Sequence, residues 1–205
     1  MSDLRLILAS GSPRRRELLS EAGYQFEVVP PHDSAECGIC STGGPGALVV
    51  ELAVSKAFDV AAQLKDRGES AEGLVIIACD TVAECGGEVL GKPRDEDHAR
   101  SMLQRLRGNV HRVYSGLCVW QPLASSEAGK PDVRLAVSEL RMDAIGEPEL
   151  DEYLASGLWR GKAGAFGYQD RAGWLHLISG SESNVVGLPI ELLREMLAAI
   201  GADRK

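Results

Sequence analysis

Apolar positions along this chain come in two patterns, unbroken runs and helically spaced stripes, and each predicts an element. Residues 4–9 form an unbroken run that predicts a buried strand. Residues 74–79, Leu-Val-Ile-Ile-Ala-Cys, predict a strand buried on both faces. Leu48, Leu52 and Val60 are among the apolar positions of a long helix over 47–65. Ala99, Met102, Leu103 and Leu106 share one face of another helix, capped at Asp95 and closed by Gly108. A last helix starts at Pro189 and turns Leu192, Leu193, Met196, Leu197 and Ile200 inward. Shorter helices are expected at 13–23 and 147–155, and strands at 26–29, 110–120, 133–142 and 174–178. A Pro-, Gly- and Cys-rich loop spans 30–46, and a polar loop lies around 123–131. Val82-Ala83-Glu84-Cys85, Gly86-Gly87 and Glu88-Val89-Leu90 read as a hairpin that follows the end of the 74–79 strand. Strands and helices mix without strict βαβ alternation, so the expected class is α/β or α+β with a mixed sheet.

The junction between the first strand and the first helix carries a chemical signal. The chain turns at Ser10-Gly11-Ser12, and Pro13 suits the first helical position with Ser12 as N-cap. Such a turn leaves backbone N–H groups free for an anion. Arg14 and Arg15 follow at once, and arginine grips phosphate oxygens bidentately. Basic residues there oppose the helix dipole, which favours a functional reading over a merely solvated first turn. The segment is not a Walker P-loop, since no Gly-Lys-Ser/Thr follows at the required spacing.

Composition narrows the class. With 205 residues, 44% hydrophobic and 25% charged, the chain over 1–205 suits a soluble globular protein of one sizeable domain or two small lobes with a shared core. A net charge of −8 argues against a nucleic-acid backbone as partner and allows a small anionic substrate in a locally basic cleft. No apolar run reaches the length of a membrane span, and the first residues lack the features of a signal peptide, so a cytoplasmic location is expected. Five cysteines, an odd number, fit a reducing compartment. Cys37 and Cys40 form a CxxC with His32 upstream, but the second ligand pair of a zinc site is missing, so two reduced thiols are expected.

Other side chains invite chemistry, each beside a plainer alternative. Asp80, after the 74–79 strand, can hold a metal or take a proton from water, or it can simply start the hairpin turn. Lys56 sits in an otherwise apolar and small-residue helix, so it must snorkel out or pair with an anion. Lys92, between Gly91 and Pro93, can supply charge to phosphate or be a solvated loop residue. Glu36 is a further metal ligand or a solvated acid. Ala163 to Gly167 packs small residues before Tyr168 and Gln169, with Lys162 ahead, letting backbone approach a ligand and aiming an amide at it.

Together these pieces resemble the Maf family of nucleoside triphosphate pyrophosphatases. The matching segments run in order: ASGSPRRRELL at 9–19, the Lys56 helix, ACDT at 78–81, GEVLGKPRD at 87–95, KAGAFGYQ at 162–169 and NVVGLP at 184–189. The resemblance implies an α/β, two-lobed, inosine triphosphatase-like fold with a long mixed sheet and a cleft between lobes. It implies hydrolysis between the α- and β-phosphates with a divalent cation, Mg²⁺ or Mn²⁺, and a homodimer is one possible assembly. It gives Asp80 the proton-acceptor role and makes Ser10, Ser12, Arg15, Lys56 and Lys92 phosphate-handling positions, the two lysines counted with Asp80 as catalytic. Arg14, Thr81 and Gln169 match the positions that sort substrates, and this set resembles the branch acting on dTTP and UTP. The branch acting on 7-methyl-GTP carries Trp, Gln and Glu there, and a nucleotide-binding regulator of cell division with little turnover is the remaining alternative. After the second strand the family carries an acidic cluster where this chain has Pro30 to Cys37. Glu36 meets the family's metal ligand, beside Asp80, after a shift of one residue, and Asp33 is the alternative.

Overall fold

The computed structural model describes residues 4–36, 42–122, 129–170 and 173–202. In chain order the elements are β1 (Arg5–Ala9), α1 (Pro13–Glu21), β2 (Glu27–Val28), a 3₁₀ turn (Asp33–Glu36), α2 (Gly44–Asp66), β3 (Leu74–Cys85) and β4 (Glu88–Leu90). There follow α3 (Glu96–Leu106), β5 (Val110–Trp120), β6 (Asp132–Met142), α4 (Glu147–Ser156), a 3₁₀ turn (Ala163–Ala165), β7 (Leu175–Ser179), α5 (Glu182–Val186) and α6 (Ile190–Ala199).

The seven strands form one mixed sheet in the order β2-β1-β3-β5-β6-β7, with β4 folded back on β3. β1 lies parallel to β2 and β3, while β5, β6 and β7 run antiparallel to their neighbours. Burial on both faces explains the unbroken apolar runs of β1 and of the first half of β3.

Alternation along the central strands assigns each face its cover. On one face Ile7, Ala9, Ile76, Ala78, Cys118 and Trp120 pack against α2 through Ala53, Ala57, Val60 and Leu64. Helix and sheet come unusually close there: a Cβ on Gly116 would stand 2.2 Å from the Val49 carbonyl oxygen, so only glycine fits. The opposite face carries two separate apolar clusters. Val75, Ile77, Cys79, Leu117 and Val119 pack against Leu19 of α1 and Leu193, Met196 and Leu197 of α6. Ala83, Cys85, Val113, Leu140 and Met142 pack against Leu103 and Leu106 of α3 and Leu150, Tyr153 and Leu154 of α4. The residues skipped between the clusters are Thr81 on β3 and its register partner Ser115 on β5, two hydroxyls where the alternation otherwise places apolar side chains.

Three expectations are corrected. The strand at 74–79 does not end before Asp80. Pairing of Asp80 with Gly116 and Thr81 with Ser115 carries the ladder through to Cys85, so Asp80 lies mid-strand in one continuous 12-residue β3. Ser12 occupies the N-cap position of α1, but its hydroxyl makes no capping bond; instead its own N–H donates to Ser10 Oγ at 3.2 Å. The 30–46 segment is not all loop, since it holds the 3₁₀ turn and α2 begins at Gly44. Asp95 does cap α3, its carboxylate accepting from the His98 N–H at 2.8 Å. The five-residue α5, begun by Ser181, was too short for a periodic signal. Cys37, Cys40 and most of the 123–131 loop lie outside the described residues.

Candidate active site

β1 ends at Ala9, beside Ala78, and β4 pairs with β3 only from Ala83. The β3 edge between them borders a cleft of about 720 Å³ that reaches both faces of the sheet, with Lys56 and Asp80 on one and Arg15 and Thr81 on the other. Ser10, Ser12, Arg14, Arg15, Glu36, Lys56, Asp80, Thr81, Lys92 and Gln169 all line it, so the side chains singled out from the sequence are brought to one place.

Lys56 owes its position to α2. It lies on the helix's buried stripe, with Val49, Ala53, Ala57, Val60 and Leu64, and its side chain is only 4% exposed. It does not snorkel out. Its ammonium reaches Asp80 Oδ1 at 2.6 Å and Glu36 Oε1 at 2.7 Å, so one buried charge is shared by two carboxylates. Asp80 continues the Ile76–Ala78 alternation on the face beneath α2, which is why β3 presents it to Lys56. Burial pushes the Glu36 carboxyl upward, but the Lys56 hydrogen bond and the charges of Lys56, Lys92 and Arg15 outweigh it and hold the group below its ordinary range. Of the two acids that the sequence offered in this loop, Glu36 is the one paired with Lys56; Asp33 is exposed at the cleft wall.

Arg15 occupies the seam on the opposite face. Its guanidinium donates from Nε to the Gly187 carbonyl at 2.8 Å, from Nη1 to Ser10 Oγ at 3.3 Å and from Nη2 to Thr81 Oγ1 at 3.3 Å. Thr81 Oγ1 also lies 2.8 Å from Ser115 Oγ. Five N–H donors give Arg15 capacity beyond these partners. Arg14 leaves the same helical turn for another wall, donating to the Gly161 carbonyl at 3.3 Å. Lys92 is exposed on the short connection after β4, and the carbonyl of its neighbour Gly91 accepts from the Gly164 N–H at 3.0 Å. The cleft's far wall is the 161–170 segment, which ends in a turn presenting Gln169 to solvent and cleft.

Sequence reasoning missed two features of this wall. His111, on β5, is 5% exposed and its Nδ1 has no hydrogen-bond partner among the described residues. Burial favours the neutral ring and pushes its imidazole below the ordinary histidine range, despite a hydrogen bond with the Asn109 backbone and the nearby Glu84 charge. Nothing in the chain's local pattern marks it, since it occupies an ordinary inward position of a strand. The second is Asp170, whose carboxylate collects Tyr153 Oη at 2.7 Å, Lys162 Nζ and the Gly167 N–H at 3.1 Å. Those partners are spread over 17 residues, too far apart for a spacing signal.

Sheet order, helix cover and cleft define an α/β protein built like a HAM1 protein from Coxiella burnetii. That structure superposes with a TM-score of 0.51 at 17% identity, covering 96% of this chain and 100% of the other. The chain belongs to the Maf family, whose model, Maf-like protein, matches residues 5–200. It is 51% identical over 193 residues to a dTTP/UTP pyrophosphatase of Rhodopirellula baltica, covering 94% of this chain and 80% of that protein. It is 38% identical to a dTTP/UTP pyrophosphatase of Clostridium tetani, covering 98% of this chain and the whole of that protein. Among the described residues, no helix is long and apolar enough to cross a membrane.

Proposed function

We propose that the protein hydrolyses dTTP and UTP between the α- and β-phosphorus, releasing the nucleoside monophosphate and pyrophosphate. The observation that carries this reading is the Lys56 ammonium held between Asp80 and Glu36 in a cleft whose other walls carry Arg14, Arg15 and Lys92. A triphosphate lies along the basic wall, with Ser10, Ser12 and Arg15 at one end of its oxygens and Lys92 at the other. Asp80, fixed mid-strand and oriented through Oδ1 by Lys56, takes a proton from water as the water oxygen bonds to the α-phosphorus. The bond from the α-phosphorus to the bridging oxygen breaks, and pyrophosphate leaves with the electron pair, its charge met by the basic side chains.

Asp80 and Glu36 bring two carboxylates, hard oxygen donors of the kind Mg²⁺ or Mn²⁺ takes, to one place. Among the described residues no group of three or more ligating side chains forms, so the remaining ligands would come from phosphate oxygens and water. Asp80 and Glu36 would hold such an ion, which supplies neutralisation of phosphate charge when bound. At the base end, the Gln169 amide offers a donor and an acceptor to the edge of uracil or thymine. Cytosine exchanges one acceptor for a donor and leaves a mismatch.

The test is a panel of nucleoside triphosphates assayed for pyrophosphate release, with the nucleotide product identified. The expected outcome is dTMP or UMP with pyrophosphate from dTTP or UTP, at kcat/KM above that for CTP and 7-methyl-GTP. Release of inorganic phosphate and a nucleoside diphosphate would overturn the bond assignment, and equal or faster turnover of 7-methyl-GTP would overturn the substrate assignment.

A further inference from the structure

Gln169 is exposed on the cleft wall, so the place of its amide along that wall follows from the backbone turn that carries it. The segment leading to it contains two consecutive positive-φ residues, Gly164 at 68° and Ala165 at 61°. Its start is tied down through Arg14 to Gly161 and Gly164 to Gly91. Its end is a tight turn in which the Asp170 N–H donates to the Gly167 carbonyl at 3.0 Å, leaving Tyr168 and Gln169 as the two central residues.

Asp170 closes this turn from both sides. Besides the backbone bond, its carboxylate folds back to accept the Gly167 N–H, and it lies so close that a Cβ on Gly167 would stand 2.8 Å from Oδ2. The same oxygen accepts Tyr153 Oη from the α4 core and pairs with the Lys162 ammonium at the beginning of the segment. Tyr153 is itself fully buried and packed against Phe166 and Trp174, with ring centroids 4.9 and 5.8 Å away. One carboxylate oxygen thus joins the core helix, the start of the segment and the turn that displays Gln169.

We infer that Asp170 is a positioning residue for base recognition: it fixes the Gly167–Asp170 turn, and through it the Gln169 amide, so that pyrimidines are told apart by their hydrogen-bonding edge. The inference rests on Gln169 being the base-reading group. It adds that selectivity depends on a residue whose carboxylate oxygen is engaged by the protein's own Tyr153, Lys162 and Gly167.

The experiment measures kcat and KM for dTTP, UTP and CTP, with a thermal melt, in wild type, Asp170→Ala, Asp170→Asn and Tyr153→Phe. Loss of the pin should lower the dTTP-to-CTP ratio of kcat/KM by roughly tenfold or more in Asp170→Ala, the scale of one misdirected hydrogen-bond pair. The change should fall mainly on the KM for dTTP, with kcat altered only a few-fold. Asp170→Asn keeps an acceptor for Tyr153 and Gly167 and should recover part of the ratio, and Tyr153→Phe should lower it less, in the same direction. A wild-type enzyme that does not discriminate dTTP from CTP overturns the base-reading role of Gln169 and this inference with it. Discrimination in wild type that persists unchanged in a folded Asp170→Ala overturns this inference alone. So does an equal loss on both nucleotides, which is the mark of general destabilisation. Should Asp170→Ala fail to fold, an unchanged ratio in both Asp170→Asn and Tyr153→Phe overturns it.

Discussion

Thr81 Oγ1 and Ser115 Oγ lie 2.8 Å apart on neighbouring strands, and this hydroxyl pair marks the line where one apolar core stops and the other begins. Both residues occupy positions that the strand alternation would otherwise give to apolar side chains. Because they are polar, neither cluster extends across the middle of the sheet, and the Arg15 guanidinium enters the gap to bond Thr81 at 3.3 Å. The cleft reaches this interruption, since Arg15 and Thr81 both line it.

Asp80 should matter for turnover far more than for folding. Asp80→Asn leaves Lys56 paired with Glu36, so the buried ammonium keeps a counter-charge. We expect kcat on dTTP to fall by at least roughly 10²-fold, the scale of losing an acid–base group, with the melting temperature little changed. Steady-state kinetics beside a thermal melt check this, and near-normal kcat would remove Asp80 from the proton-transfer role.

Lys56 should behave differently, because its buried ammonium is the shared counter-charge of two carboxylates. Lys56→Met strands two carboxylates side by side without their shared cation. Removing one partner of a fully buried pair costs about 3–5 kcal/mol, and the partial exposure of Glu36 reduces that here to about 1–3 kcal/mol. Urea unfolding at pH 7 should show the loss. It should shrink as pH falls, since the stability that Glu36 gains from its depressed pKa is lost as that group is protonated. A variant as stable as wild type at pH 7 would contradict the pairing.

Gly116→Ala tests the close approach of α2 to β5. The new methyl would meet Val49 backbone at 2.2–2.4 Å, and backbone cannot step aside as a side-chain tip can. Overpacking of this kind costs about 1–3 kcal/mol or more. That corresponds to a melting temperature lower by roughly 2–10 °C in a chain of this size. Since α2 also carries Lys56, activity should drop with stability. Unchanged melting would show that the helix is not seated as described.

His111 gives a pH signature. Its folded-state pKa is depressed by burial, so the unfolded chain binds the proton more readily, near the ordinary value of about 6.5. Its contribution is therefore fully present above that pH and is lost as pH falls through it toward the folded value. Between pH 7 and pH 5, wild type should lose more unfolding free energy than His111→Leu, which does not titrate there. Parallel pH curves for the two proteins would show that the ring is freely protonated in place.

Much of this fold was legible because its signals are local. The α3 stripe with its Asp95 cap, the β1 run and the Ser-Gly-Ser-Pro junction are each specified within a dozen residues. Asp80-Thr81 was misread as the end of a strand because a polar pair inside an apolar run resembles a break. What keeps the ladder going is Gly116 and Ser115, some 35 residues away, and no local pattern shows them. Lys56 was visible as an anomaly on an apolar helix, yet which of its two possible fates applied depended on Asp80 and Glu36 arriving from other elements. The Asp170 cluster was invisible for the same reason, its partners being ordinary residues until the chain folds.

The mid-strand position of Asp80 has a mechanical consequence. A side chain at a strand's end moves with the loop that follows it. Asp80 instead has paired backbone before and after it along β5, so its carbon frame shares the small displacements of the sheet interior. The walls facing it, residues 30–36 and 161–170, are irregular segments moored by individual bonds. Any movement that widens the cleft therefore falls to those walls and not to β3. The carboxylate proposed as proton acceptor is thereby tied to the sheet and not to a loop.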